Sequence, residues 1–358
     1  MTITESGERK IEVINGLRGL AIIAVLFHHT ISHHLMRLFI VENGWLGVNL
    51  FFILSGFVLY KPYLLGQRTF TTKGSILKFY KHRFLRLYPL YAFVCIISVV
   101  FVAKISTDSI KNLVETLSTL SMFNSKHFYP VLNGVFWSLN LEIWFSIIFP
   151  CLIFCFNKYG FNKVAVVIFI LAFIFRFAGT YYTWTNINVN PIKDCVIARM
   201  DDFMLGIIIC KLYYTRHKIF KLNNMLLIIL SVLFISGSCL YWDYIMQFNG
   251  DRMFMAIANN ILQIGFLFLI VIALKEDNVI NKIFRLKPLQ LAGLMCFSLY
   301  AWHGLLLEVV NFSTPFSIVK LLGYYFFTFV ISVFTYRYIE FGSIKDWKKI
   351  FLIESASK

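Results

Sequence analysis

Apolar residues along this chain come in long continuous runs rather than in alternation. Ten runs approach the roughly 20 residues that a helix needs to cross a bilayer, at about 13–32, 45–63, 87–104, 134–156, 164–183, 195–213, 225–243, 253–274, 290–310 and 318–339. In hydrocarbon every backbone polar group must be bonded internally, which leaves helical bundles or closed barrels. The lack of a two-residue period decides for helices. The pattern predicts an all-α fold: a polytopic membrane bundle of about ten transmembrane helices, one domain over residues 1–358 with its core at 11–340 and a tail at 341–358. The least apolar runs are the sixth, with Arg199, Asp201 and Asp202, and the fifth, with Arg176. The polar first ten residues and the lack of a small-residue cleavage site predict no cleavable signal peptide. No internal repeat, low-complexity linker or appended soluble domain is expected either.

Composition removes the soluble alternatives. Of 358 residues, 59% are hydrophobic and 15% charged, and mean hydropathy is +0.72, whereas soluble domains carry about 25% charged residues. Thirty-four Lys and Arg against 18 Asp and Glu give a formal charge of +16. With the N-terminus inside, 25 of these cations fall in inner segments and 7 in outer ones, while Arg176 and Arg199 lie within spans. The positive-inside rule then predicts both termini in the cytoplasm, and the basic balance is an orientation signal rather than a nucleic-acid surface. Seven cysteines scattered through apolar runs read as packing residues.

Candidate chemistry concentrates in the first run, where "VLFHHTISHH" (25–34) holds four of the eight histidines. Arg18 and His29 are eleven apart, three helical turns plus 20°, and share one face, whereas His28 points about 100° away. The rise between them is about 16 Å, which puts His29 near mid-membrane if Arg18 marks the inner boundary. An ionisable group at that depth is a functional candidate; its alternative is a hydrogen-bonded packing residue. His29 and His33 share a face, but no carboxylate or cysteine joins them at a ligand spacing, so no metal is expected. His33 and His34 mark the outer interface, with Tyr181 and Tyr182 in an aromatic belt. Arg83 and Arg86, one turn apart, suit a polyanion or the headgroup region. Arg199 with Asp201 and Asp202 suits an ion-paired strut or an acceptor site. In the ninth run, Trp302 precedes His303, whose options are binding an acceptor, orienting the catalytic pair or bonding a neighbouring helix.

Six blocks, in order, extend these readings: "GWLGVNLFFILSGFVLY", "FYKHRFLRLYPLY", "VFWSLNLEIWF", "ARMDDFMLG", "SLYAWHGLLL" and "YRYIE". With the first run, they resemble the acyltransferase-3 family of integral membrane acyltransferases, from residue 14 to 340. The length resembles the stand-alone O-antigen and exopolysaccharide acetyltransferases; the hydrolase-like domain of many peptidoglycan-modifying members is not expected. The resemblance implies acetyl transfer from cytoplasmic acetyl-CoA to a sugar hydroxyl of a bacterial surface polysaccharide, in the inner membrane. It puts catalysis on Arg18, His29 and Glu142, and coenzyme binding on Arg83 and Arg86. His303, Arg199, Asp201 and Trp137 are possible acceptor or supporting residues. Many members carry acids where Asn49 and Ile143 stand, so those positions receive no catalytic role.

Histidine suits the chemistry because its unperturbed pKa of about 6.5 lets it act as base or nucleophile near neutrality. Glu142 is expected to orient its second nitrogen. The acetyl group is expected to cross a polar path from Arg83 and Arg86, past His29, towards Glu142 and the 106–133 outer segment. Two other classes fit the composition. One is a polysaccharide or lipid exporter or flippase of similar topology, which would need no coenzyme grip. The other is a membrane scaffold, which would need no buried ionisable groups.

Overall fold

The computed structural model describes residues 3–30, 42–103, 107–124, 128–182, 191–247, 255–310 and 317–340. His33, His34 and the tail 341–358 lie outside the described residues, as do the side chains of Tyr181 and Tyr182. Every regular element described is helical. In chain order they are α1 (Ile3–Thr30), α2 (Leu46–Leu64), α3 (Lys73–Ser98, extended by a π-helical turn Val99–Ala103), α4 (Thr107–Leu117), α5 (Phe136–Tyr159), α6 (Phe161–Tyr182) and α7 (Val196–Tyr214). There follow α8 (Asn224–Gln247), α9 (Met255–Leu274), α10 (Val279–Phe284), α11 (Lys287–Leu294), α12 (Cys296–Val310) and α13 (Ile318–Thr335, extended by a π-helical turn Tyr336–Glu340).

Eight of these are long and apolar enough to cross a membrane among the described residues, or nine if α11 and α12 form one bent span. Three details depart from the ten expected runs. The ninth run is two helices bent by 72° at Met295 rather than one rod. The sixth run forms α7 as expected, but Arg199, Asp201, Asp202 and Lys211 make it a charged helix, with both aspartates fully buried. The third helix begins at Lys73, not near residue 87. Its first half is helical but rich in Lys and Arg, so hydropathy alone hides it. About 30 Å of hydrocarbon counted back from Phe101 at 1.5 Å per residue reaches roughly residue 81. Arg83 and Arg86 are therefore part of the same helix that crosses, near its inner end.

The chain divides into two compact units, 1–48 with 78–143 and 285–358, and 49–77 with 144–284. In the first unit α1 and α11 approach backbone to backbone. A Cβ at Gly19 would collide with the carbonyl of Leu289, and one at Gly293 with that of Asn15. The reciprocal pair fixes the turn of α1 that carries Arg18. Leu17, Ile22 and Val25 of α1 are buried, as are Leu90, Tyr91 and Val94 of α3. The Tyr91 hydroxyl donates to Asn140 Oδ1 of α5 at 2.7 Å, and its ring stacks on Phe136 at 4.7 Å.

The second unit repeats the device. A Cβ at Gly56 of α2 would meet the carbonyl of Phe203, and one at Gly206 of α7 that of Ile53. The Phe203 ring is stacked between Phe52 and Phe145, with centroids 4.9 and 3.7 Å away. All seven cysteines are free thiols; only Cys151 is exposed.

Gly19→Val should therefore lower the apparent Tm of the detergent-solubilised protein by about 1–4 °C, since overpacking costs about 1–3 kcal/mol. Gly237→Ala, where a Cβ meets nothing within 4 Å, should leave it nearly unchanged. Equal melting curves would refute the close approach of α1 and α11.

Candidate active site

The first unit collects a cluster of buried charge from four helices. Arg83 Nη2 of α3 donates to Glu142 Oε1 of α5 at 3.1 Å, with the two side chains only 12% and 16% exposed. Arg18 and Arg86 add their charges at the same carboxylate. A second acid, Glu340, lies at the end of the π-helical turn after α13. It is buried, accepts a hydrogen bond from Ser298 Oγ at 2.9 Å, and is under the influence of Arg86 and Arg18. Among the described residues three guanidiniums thus act on two carboxylates, one formal positive charge more than the acids supply. Arg18 Nε is buried and makes no hydrogen bond to a described residue. Sequence reasoning quoted "YRYIE" but gave its glutamate no role. An acid closing the last apolar run was the available signal.

Further along α1, His29 Nδ1 bonds the Val25 carbonyl at 3.0 Å. A carbonyl can only accept, so Nδ1 carries the proton, and in the neutral ring Nε2 is the basic nitrogen. His303 of α12 repeats this arrangement, with Nδ1 2.6 Å from the Tyr300 carbonyl. The two imidazoles meet edge to face with centroids 5.3 Å apart, and His28 packs on the other side of His29 at 5.1 Å. α12 is held on three sides here. Ser138 Oγ donates to the Tyr300 hydroxyl at 2.7 Å, Asn133 Nδ2 to the Ala301 carbonyl at 3.1 Å, and Trp302 Nε1 to Thr335 Oγ1 at 3.1 Å.

These contacts correct two expectations. Glu142 does not orient the His29 ring, because the Val25 carbonyl occupies Nδ1 and the carboxylate is bonded to Arg83. Nor do Arg83 and Glu142 stand at opposite ends of a path. α3 and α5 carry them to one buried level, where opposite charges offset each other's desolvation. Trp137 packs its ring against Phe128, 6.1 Å between centroids.

Arg199 and Asp201 belong to the second unit, within a separate ion network. Arg176 of α6 grips Asp201 bidentately at 2.8 and 2.6 Å and donates to the Ala198 carbonyl. Arg199 donates to Asp194, through Nε at 2.9 Å and through Nη2, and to Asn259 Oδ1 at 3.0 Å. Asp202 receives Gln263 at 2.9 Å and Asn49 at 3.1 Å. An acid at position 49 would confront the Asp202 carboxylate, whereas the amide supplies a donor. With Lys193 beside Asp194, three cations face three anions. Burial lowers the pKa of Lys193, in the connection before α7, and Asp194 opposes that shift. This balanced lattice has the geometry of a strut.

A family model described as an acyltransferase domain matches residues 11–337. The chain belongs to that family. The chain is 24% identical over 315 residues to O-acetyltransferase OatA of Staphylococcus aureus strain NCTC 8325, covering 83% of this chain and 51% of that protein. It is also 24% identical over 370 residues to peptidoglycan O-acetyltransferase OatA of Listeria monocytogenes, covering 94% and 56%. The chain thus spans about half the length of the curated relatives it matches. No solved structure matches it.

Removing Asp201 while leaving Arg176 should cost about 3–5 kcal/mol, because an unpaired guanidinium stays buried. Asp201→Ala is expected to lose stability sharply in a thermal unfolding assay, and Arg176→Met combined with Asp201→Leu to regain most of it. A single variant as stable as the parent would remove the strut.

Proposed function

We propose that this chain is a multi-pass O-acyltransferase of a bacterial cytoplasmic membrane, moving an acetyl group from cytoplasmic acetyl-CoA to a sugar hydroxyl of a surface polysaccharide. One observation carries the reading: a single compact unit holds both an arginine cluster with a cation in excess and a pair of imidazoles with defined basic nitrogens. The cation excess fits the pyrophosphate and 3′-phosphate of coenzyme A, which planar guanidiniums grip through paired N–H donors. Arg18, with an unbonded Nε, and Arg86 contact the phosphates, while Glu142 holds Arg83 in register.

Transfer forms a C–O bond from the acceptor hydroxyl to the acyl carbon and breaks the C–S bond of the thioester. The hydroxyl proton ends on the departing thiolate. A nitrogen lone pair must serve the acyl carbon or the hydroxyl in between, and His29 Nε2 supplies it. The Val25 carbonyl fixes the tautomer, a task that carboxylates perform in other histidine sites. The excess of cations in the inner connections supports cytoplasmic termini and coenzyme entry from the cytoplasm. The acetyl group, not the sugar, then crosses the bilayer. The family resemblance supports an O-antigen or its lipid-linked precursor as acceptor. The name of the Listeria relative favours peptidoglycan as a second reading. Mass spectrometry of both glycans, with and without the gene, separates them by the acetyl-for-hydrogen increment.

His29→Ala should abolish transfer while the protein still accumulates in the membrane, and His28→Ala should retain much of it. Equal loss from both would refute the assignment. Arg86→Ala should weaken acetyl-CoA binding by about 10- to 100-fold, the worth of a charged hydrogen bond, and Lys should restore it only partly, since a point charge replaces a fork. Unchanged binding in Arg18→Ala and Arg86→Ala would return both to lipid anchoring. In vesicles with acetyl-CoA on one side and glycan acceptor on the other, product is expected. Product formed only with both on one side would overturn the crossing.

A further inference from the structure

The described structure brings together two imidazoles in the same tautomer, edge to face, and the reaction just outlined uses only one. His303 is fully buried, and its Nε2 makes no hydrogen bond to any described residue. Leaving a polar nitrogen unbonded in the interior costs about 1–3 kcal/mol. Its surroundings are nonetheless heavily constrained. Nδ1 is tied to the Tyr300 carbonyl, the flanking residues are tied through Asn133, Ser138 and Thr335, and the ring packs between Tyr300 and His29, with centroids at 4.9 and 5.3 Å. A frame that holds a ring so firmly and leaves its basic nitrogen unbonded suits a group that acquires its partner from a ligand.

We propose that His303 is the base for the acceptor hydroxyl, and that His29 carries the acetyl group between donor and acceptor. The proposal rests on His29 as the residue of acyl transfer. In the first step His29 Nε2 attacks the thioester carbonyl, a C–N bond forms and the C–S bond breaks. Coenzyme A leaves as thiolate, and His29, with its proton still on Nδ1, is a cationic acetyl-imidazole. In the second step the hydroxyl oxygen attacks the acetyl carbon while its proton passes to His303 Nε2. The C–N bond breaks, and His29 returns as a neutral ring with its lone pair restored. The His303 proton then neutralises the thiolate through solvent. Throughout the second step the pair holds a single positive charge, moving from His29 to His303 across 5.3 Å. In that step no charge is created or removed in the interior, where a net change of charge would be most costly. A lone histidine would have to carry the acyl group and accept the proton at the same nitrogen.

The test uses the full-length protein in vesicles with labelled acetyl-CoA. Without acceptor, the parent protein should release one coenzyme A per chain in a burst and retain acid-labile acetyl label on the peptide containing His29. His303→Asn keeps a side-chain N–H donor for the Tyr300 carbonyl but has no base at the Nε2 position. It should keep the burst and the label, and lose acceptor acetylation by about 10²- to 10⁴-fold, the usual worth of a positioned base. A purely structural role for His303 would lower burst and turnover together. If His303→Asn does not accumulate, His303→Gln is read in the same way. The proposal falls if the parent shows no burst or label, if the burst is lost in the His303 variant that accumulates, if that variant transfers at the parental rate, or if neither variant accumulates. Failure of the His29 reading is separate: there His29→Ala would still transfer acetyl groups.

Discussion

Charge inside hydrocarbon has to be matched, and the two units of this protein meet that constraint in different ways. In the second unit the match is complete. Lys193, Arg176 and Arg199 face Asp194, Asp201 and Asp202, and Asn49, Asn259 and Gln263 take up further hydrogen bonds. Such a lattice has no need of a ligand. In the first unit, among the described residues, Arg18, Arg83 and Arg86 act on Glu142 and Glu340, three cations to two anions. A cluster with more guanidiniums than carboxylates attracts an anion from outside. The proposed coenzyme site rests on that difference of one charge.

The helix contacts serve this division. Where α1 meets α11 and α2 meets α7, glycines remove the side chain at the point of contact, and each pair of backbones approaches without intervening atoms. Close backbone contact is the main packing device open to helices in lipid, where apolar side chains gain little from one another's company. It also aims what stands next to it. Arg18 precedes Gly19, and Asp201 and Asp202 lie about one turn before Gly206. The bend at Met295 acts in the same sense, since it starts α12 afresh and lets three tertiary hydrogen bonds set the orientation of Tyr300 to His303.

Much of this was legible in the sequence because it is periodic. Helical arithmetic alone put Arg18 and His29 on one face, the apolar runs located the helices, and six ordered blocks pointed to the acyltransferase family that residues 11–337 match. The missing parts depend on contacts between distant segments. Arg83 meets Glu142 across 59 residues, and Ser298 meets Glu340 across 42. Neither pairing leaves a local trace. The start of α3 was hidden because lysines and arginines dilute hydropathy without breaking a helix. The break at Met295 was hidden because both flanking helices are apolar.

The distribution of the thiols has a practical side. Cys95, Cys210, Cys239 and Cys296 are buried, Cys155 and Cys195 are half-buried, and Cys151, the exposed one, looks outward from the apolar mid-length of α5. Water-soluble maleimides react with thiolates in aqueous reach, and the four buried thiols offer none. A silent background for cysteine-scanning topology maps therefore needs at most Cys151, Cys155 and Cys195 replaced, not all seven. Single cysteines introduced into the connections at residue 67 and residue 217 would report directly which side of the bilayer each occupies.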